Sequence, residues 1–142
     1  MKQVQAVQVD ETSLQELISA ARAARKHAYA PYSRFAVGAA VMDEQGRIHA
    51  GCNVENAAYP QGWCAETSAL AHMIMAGGKT VRAVAVVGDA AQPVTPCGGC
   101  RQKLREFAPL DTPVIAADLQ GERLRMLLGE LLPASFGPEH LR

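Results

Sequence analysis

Two spacings of apolar residues alternate along the chain. Leu14, Leu17, Ile18, Ala21, Ala24 and Ala28 recur at helical spacing behind a Ser13/Glu16 capping-box pattern, which predicts a helix from about Leu14 to Ala28 that stops before Pro31. Residues 1–11, ahead of it, show no period and read as a loose arm. From Phe35 to Met42 the residues are apolar or small on both alternating faces, as in a strand buried on both sides. A turn at Asp43 to Gly46 returns the chain as a second strand, about Arg47 to Asn53, making a hairpin. Asn53-Val54-Glu55-Asn56 is a polar cluster at a strand end, the kind of loop that contacts ligands.

The run from Cys64 to Ala76 is apolar on nearly every side, which predicts a helix buried in the domain or between subunits, closed by Gly77-Gly78. Val81 to Val87 reads as a central strand. Asp89 to Pro96 is a loop, Cys97 to about Phe107 a helix, Pro113 to Ala117 a fourth strand and Arg123 to Leu127 a short fifth. Leu131 to Arg142 reads as a helical turn and tail. This order implies an α/β fold: a three-layer α/β/α sandwich around a mixed five-stranded sheet, in one domain spanning all 142 residues.

Composition narrows the function. With 49% hydrophobic residues and 14 basic side chains against 14 acidic ones, the chain reads as a neutral globular domain. The basic patch that nucleic-acid binding requires is missing. An eighteen-residue apolar span and a signal-peptide pattern are also missing, so the expected location is cytoplasmic. In that reducing setting four cysteines point to metal binding or catalysis before disulfides.

The chemistry concentrates in Cys64-Ala65-Glu66 and Pro96-Cys97-Gly98-Gly99-Cys100. Three cysteines in a one-plus-two arrangement can hold one zinc ion and leave a coordination position open, the mark of a catalytic site. Both halves are expected at helix starts, where the helix dipole favours thiolate over thiol. Cys97 and Cys100, three apart, share a helix face. A carboxylate two residues after a ligand can move the proton of an activated water, and Cys-x-Glu followed by Pro-Cys-x-x-Cys is the general plan of zinc deaminases. Cys52 as a fourth, structural ligand is disfavoured because it alternates with Asn53 along a strand and faces the other way. A thioredoxin-like role for Cys97 and Cys100 leaves Cys64 and Glu66 unexplained. By spacing alone, Asn53 and Glu55 read equally well as turn residues, Phe35 and Phe136 as core aromatics, and Trp63 as a packing residue.

Taken as a whole, the chain resembles the small free-nucleoside cytidine deaminase family. The likeness runs through Ala30-Pro31-Tyr32-Ser33, Phe35-x-Val37-Gly38-Ala39-Ala40, Gly51-Cys52-Asn53-Val54-Glu55-Asn56-Ala57, both cysteine motifs, Arg101-Gln102 and Leu131-Leu132-Pro133. The resemblance implies a homotetramer with shared active sites that converts cytidine or deoxycytidine to uridine or deoxyuridine and ammonia, in pyrimidine salvage. It implies one Zn²⁺ per chain on Cys64, Cys97 and Cys100, and Glu66 as the proton carrier for attack of an activated water on C4. Asn53 and Glu55 match the pair that grips the ribose, and Phe35 the aromatic at the base. Ala57, Tyr59 and Ala65 match further substrate contacts. Phe136 matches a residue that reaches into a neighbouring subunit.

One position departs from the family. Many members have arginine after Cys-Ala-Glu, donating to the ligand thiolates, whereas this chain has Thr67. Arg101, with Gln102, is the expected substitute donor beside Thr67. Two other functions share much of this pattern: a deaminase of a modified nucleoside or nucleoside antibiotic, which would differ at Asn53 and Glu55, and a non-catalytic zinc-stabilised interaction module, which would not need Glu66.

Overall fold

The computed structural model describes residues 9–142, so most of the predicted N-terminal arm lies outside the described residues. Helix α1 spans Glu11–Arg25 and starts earlier than its apolar period indicates. Its N-cap is Asp10, whose carboxylate accepts the Ser13 backbone N–H at 2.8 Å, in place of the predicted Ser13/Glu16 box. Strands β1 (Val37–Asp43) and β2 (Ile48–Cys52) form the hairpin, followed by α2 (Ala65–Met75), β3 (Val81–Gly88), α3 (Gly98–Phe107), β4 (Pro113–Ala117), β5 (Glu122–Leu127) and a one-turn α4 (Leu128–Leu131). Short 3₁₀ turns lie at Tyr59–Gln61 and Pro138–Leu141.

The five strands form one mixed sheet in the order β2-β1-β3-β4-β5, in which only β3 and β4 run parallel. The three-layer sandwich follows from alternation along the central strands. Ala40, Met42, Ala83, Ala85 and Ile115 face α1 with its Leu14, Leu17, Ile18 and Ala21. Ala39, Val41, Val84, Val86 and Val114 face the other way, against Ala69 and Met73 of α2 and Leu104 of α3.

Glycine sets how close the helices come. A Cβ at Gly38 would fall 1.9 Å from the Ala21 carbonyl oxygen of α1, and one at Gly51 would fall 2.5 Å from the Ala69 nitrogen and the Ser68 Cβ of α2. The hairpin turn is held by the fully buried Asp43. One of its oxygens accepts the Gln45 and Arg47 backbone N–H groups, and the other binds Arg47 Nε and His49 Nε2, each at 2.8 Å.

Of the two kinds of burial its composition suggests, within the domain or between subunits, the chain by itself supplies the first for one side of α2 only. Ala69 and Met73 are in the core, whereas Ile74 is exposed and Met75 is 89% exposed. The chain folds around one side of this helix and leaves the other open.

Candidate active site

Cys64 and Cys97 are the N-cap residues of α2 and α3, both in extended conformation, and Cys100 lies in the first turn of α3. Thus two helix N-termini, with their unpaired N–H groups and positive dipole ends, converge on one cluster of sulfurs. The three Sγ atoms lie within 4.8 Å of one another, and Cys64 and Cys97 are 3.8 Å apart. A tetrahedral zinc with bonds of about 2.3 Å places neighbouring sulfurs about 3.8 Å apart, so the donor set fits this ion. Among the described residues no further Cys, His, Asp or Glu joins the cluster, and Cys52 stands outside it as a free thiol.

The thiols differ in acidity. Burial pushes Cys64 up, and burial together with the charges of Glu66 and Cys64 pushes Cys100 far up. At Cys97 burial also raises the value, but hydrogen bonds from the Cys100 backbone and from the neighbouring thiols outweigh it and leave the group below its ordinary value.

Glu66, only 4% exposed, is in the first turn of α2. Burial is the main cause that raises its carboxyl above the usual range. With Cys64, Cys97, Ala65, Phe35 and Asn53 it lines a cavity of about 250 Å³. The cavity combines a metal-type sulfur pair, a buried carboxylate and an aromatic side chain. The Asn53 side chain is anchored from both ends: its oxygen accepts the Val37 N–H at 2.9 Å and its nitrogen donates to the Phe35 carbonyl at 2.8 Å. Those bonds tie the end of β2 to the start of β1 and fix the backbone that carries Phe35.

Glu55 and Tyr59 line a second cavity, of about 370 Å³, together with Tyr32 and Ser33. The Glu55 carboxylate accepts the Tyr32 and Ser33 backbone N–H groups at 2.9 and 3.1 Å and the Ser33 hydroxyl. These bonds, the Ser33 hydroxyl first, hold it below the usual carboxylate range. Ala57 is exposed on the same loop.

The expected donors to the thiolates are arranged differently. Arg101 donates to the Pro96 carbonyl at 2.7 Å, the Leu131 carbonyl at 2.8 Å and the Thr95 hydroxyl at 2.9 Å. Its planar fork is thus spent on oxygens, bolting the loop before Cys97 to α4, and the expectation that it serves the sulfurs is corrected. Gln102 donates instead to the Phe136 carbonyl at 2.9 Å. Thr67 does reach the cluster, with its hydroxyl 3.9 Å from Cys100 Sγ. Phe136 is 57% exposed and stacked on His140, with ring centroids 4.9 Å apart, and lines neither cavity described above. Sequence reading missed Val94 and Thr95, which line the inner cavity. Their one signal was position, directly before Pro96-Cys97.

Comparison with known proteins agrees with this geometry. Residues 11–116 match the family model of the cytidine and deoxycytidylate deaminase zinc-binding region. A cytidine deaminase of Halalkalibacterium halodurans is 46% identical over 127 residues, covering 89% of this chain and 96% of that protein. One of Sporosarcina psychrophila is 42% identical, covering 90% and 94%. The crystal structure of a cytidine deaminase from Burkholderia pseudomallei superposes with a TM-score of 0.81 at 44% identity, covering 86% of this chain and 98% of that one. A Mycobacterium tuberculosis cytidine deaminase gives 0.76 at 39% identity, covering 87% and 97%. With a matching family model over most of its length and relatives of this identity and coverage, the chain belongs to the cytidine deaminase family.

Proposed function

We propose that the protein is a zinc-dependent hydrolase that deaminates cytidine and deoxycytidine to uridine and deoxyuridine with release of ammonia, as in pyrimidine salvage. The observation that carries this is the placement of the buried Glu66 carboxylate in one cavity with Cys64 and Cys97, beside a sulfur cluster that zinc fits. Cys64, Cys97 and Cys100 would hold the ion, which when bound brings the pKa of a water toward neutrality. Glu66 takes the proton that water gives up and delivers it to N3 of the pyrimidine. Once the C4–O bond has formed, Glu66 carries the remaining proton of that oxygen to the amino nitrogen, the C4–N bond breaks as C4=O forms, and ammonia leaves. Phe35 stacks against the base, and the oriented Asn53 marks the ribose end of the cavity. Glu55 and Tyr59, which line the second cavity, and Ala57 on the same loop are the further contacts assigned to the sugar.

A free nucleoside fits better than a nucleotide. A phosphate needs cationic or helix-terminal donors, whereas Glu55 is the charged group in the outer cavity.

The exposed side of α2, with Ile74 and Met75, and the exposed Tyr29, Trp63 and Phe136 support assembly into a homotetramer in which Phe136 enters a neighbour's site. A cytoplasmic location accords with the free thiols, and no helix among the described residues is long and apolar enough to cross a membrane. The reading extends to residues 1–142 as one deaminase domain. The test is direct: purified protein is incubated with cytidine, deoxycytidine, cytidine 5′-monophosphate, adenosine and cytosine, and ammonia is measured. Release from the first two, with kcat/KM well above that for the monophosphate, is expected. Release from none of them refutes the assignment.

A further inference from the structure

Lys103 and Thr67 approach each other across the gap between the two ligand-bearing helices. Lys103 is on α3, three residues after Cys100, and Thr67 is on α2, three residues after Cys64. Lys103 Nζ donates to Thr67 Oγ1 at 3.0 Å, and Thr67 Oγ1 lies 3.9 Å from Cys100 Sγ. The direction of this chain is set by chemistry. An ammonium has only donors, so the threonine oxygen accepts from it, and a zinc-binding Cys100 thiolate has no proton to give, so at the sulfur the hydroxyl is the donor. A cation on the oxygen polarises that hydroxyl and strengthens its donation.

The sulfur at the inner end needs such help. Cys100 is 1% exposed, and water therefore contributes little to stabilising its thiolate. Three thiolates on one Zn²⁺ carry a net charge of −1, which partly buried surroundings disfavour unless donors and positive charge offset it. Arg101, the nearest cation in sequence, has its donors on Pro96, Leu131 and Thr95.

We propose that Lys103, acting through the Thr67 hydroxyl, stabilises the Cys100 thiolate and so tightens zinc binding. Lys103 is a positioning and charge-compensating residue for the metal centre. This rests on the reading of the three cysteines as zinc ligands.

The experiment uses purified zinc-loaded protein and four variants: Lys103→Met, which keeps the stem and removes the charge, Thr67→Val, which keeps the shape and removes the hydroxyl, the double variant, and Lys103→Arg. Zinc affinity is measured by competition with a chromogenic chelator, and the sulfur-to-metal charge-transfer band is recorded after cobalt substitution. Lys103→Met and Thr67→Val are each expected to lose about 10-fold to 100-fold in zinc affinity, the usual effect of removing a partner behind a ligand, and to shift the cobalt band. The double variant should be no weaker than the weaker single, because both changes cut one chain of bonds. Lys103→Arg should restore affinity. Parent-like zinc affinity in Lys103→Met, or full additivity in the double variant, overturns the proposal. A parent protein that takes up no zinc overturns the ligand reading itself, and the proposal with it.

Discussion

Replacing Gly51 by alanine tests how the sheet seats the helix that carries Cys64 and Glu66. The new Cβ would lie 2.5 Å from the Ser68 Cβ and from the Ala69 nitrogen, where ordinary contact begins at 3.4 Å. The shortfall, 3.4 − 2.5, is 0.9 Å, and no flexible side-chain end is there to yield it. Helix α2 must therefore back away from β2, which also strains the 2.8 Å bond from the Ser68 hydroxyl to the Cys52 carbonyl. Overpacking of this kind costs about 1–3 kcal/mol. For a chain of this size that lowers the unfolding temperature by about 3–10 °C. A displacement of about 1 Å at the reacting groups costs on the order of 10²-fold in turnover. Thermal unfolding followed by circular dichroism and cytidine turnover followed by ammonia release read out both effects. Gly51→Ala protein that unfolds and turns over like the parent would falsify the packing argument.

Glu66→Gln should keep its zinc, measured by metal analysis, and lose about 10²-fold to 10⁴-fold in kcat, and near-parent turnover would remove Glu66 from proton transfer. Asp43→Ala, which removes the buried acceptor of the Gln45 and Arg47 N–H groups, of Arg47 Nε and of the His49 ring, should lower stability by about 1–3 kcal/mol, read by denaturant unfolding. Burial acts to raise the Asp43 pKa, but the bonds from His49, Arg47 and Gln45 outweigh it and hold the value low. A depressed carboxylate contributes stability in full above its unfolded value of about 3.9 and loses it as pH falls through the folded value, so the parent should lose stability below about pH 4 and Asp43→Ala should show a flatter acid limb. Arg101→Gln should lose about 2–3 kcal/mol by freeing the Pro96 and Leu131 carbonyls, while its cobalt charge-transfer band stays in place; a shifted band would return Arg101 to the sulfurs. Mixing Glu66→Gln with Phe136→Ala chains under verified subunit exchange should restore activity above either alone, and no recovery argues for self-contained sites.

Much of this was legible along the chain because it depends on neighbours in sequence. The helical period of Leu14 to Ala21, the two-sided apolar run of β1, and the Gly77-Gly78 stop each report local backbone preference and burial, and the elements formed there. The same holds for Cys97 and Cys100, which one helical turn brings together. Element ends were less legible: Asp10 displaced Ser13 as the cap of α1 because several nearby polar residues can serve, and the choice depends on where the chain enters the helix.

Tertiary structure decided what depends on partners distant in sequence. Cys64 meets Cys97 only because α2 and α3 pack with their N-termini converging on the same face of the sheet. Arg101 is adjacent to a ligand in sequence, yet its donors turn to Pro96, Thr95 and Leu131, because a guanidinium binds whichever oxygens folding places around its fork. Lys103, unremarkable in the sequence, is the cation that joins Thr67 beside the cluster, since the α2–α3 packing rather than chain order sets that contact. Spacing along a chain tells which side chains share a face. Which charge stands behind which sulfur is a through-space quantity, settled only when the helices dock.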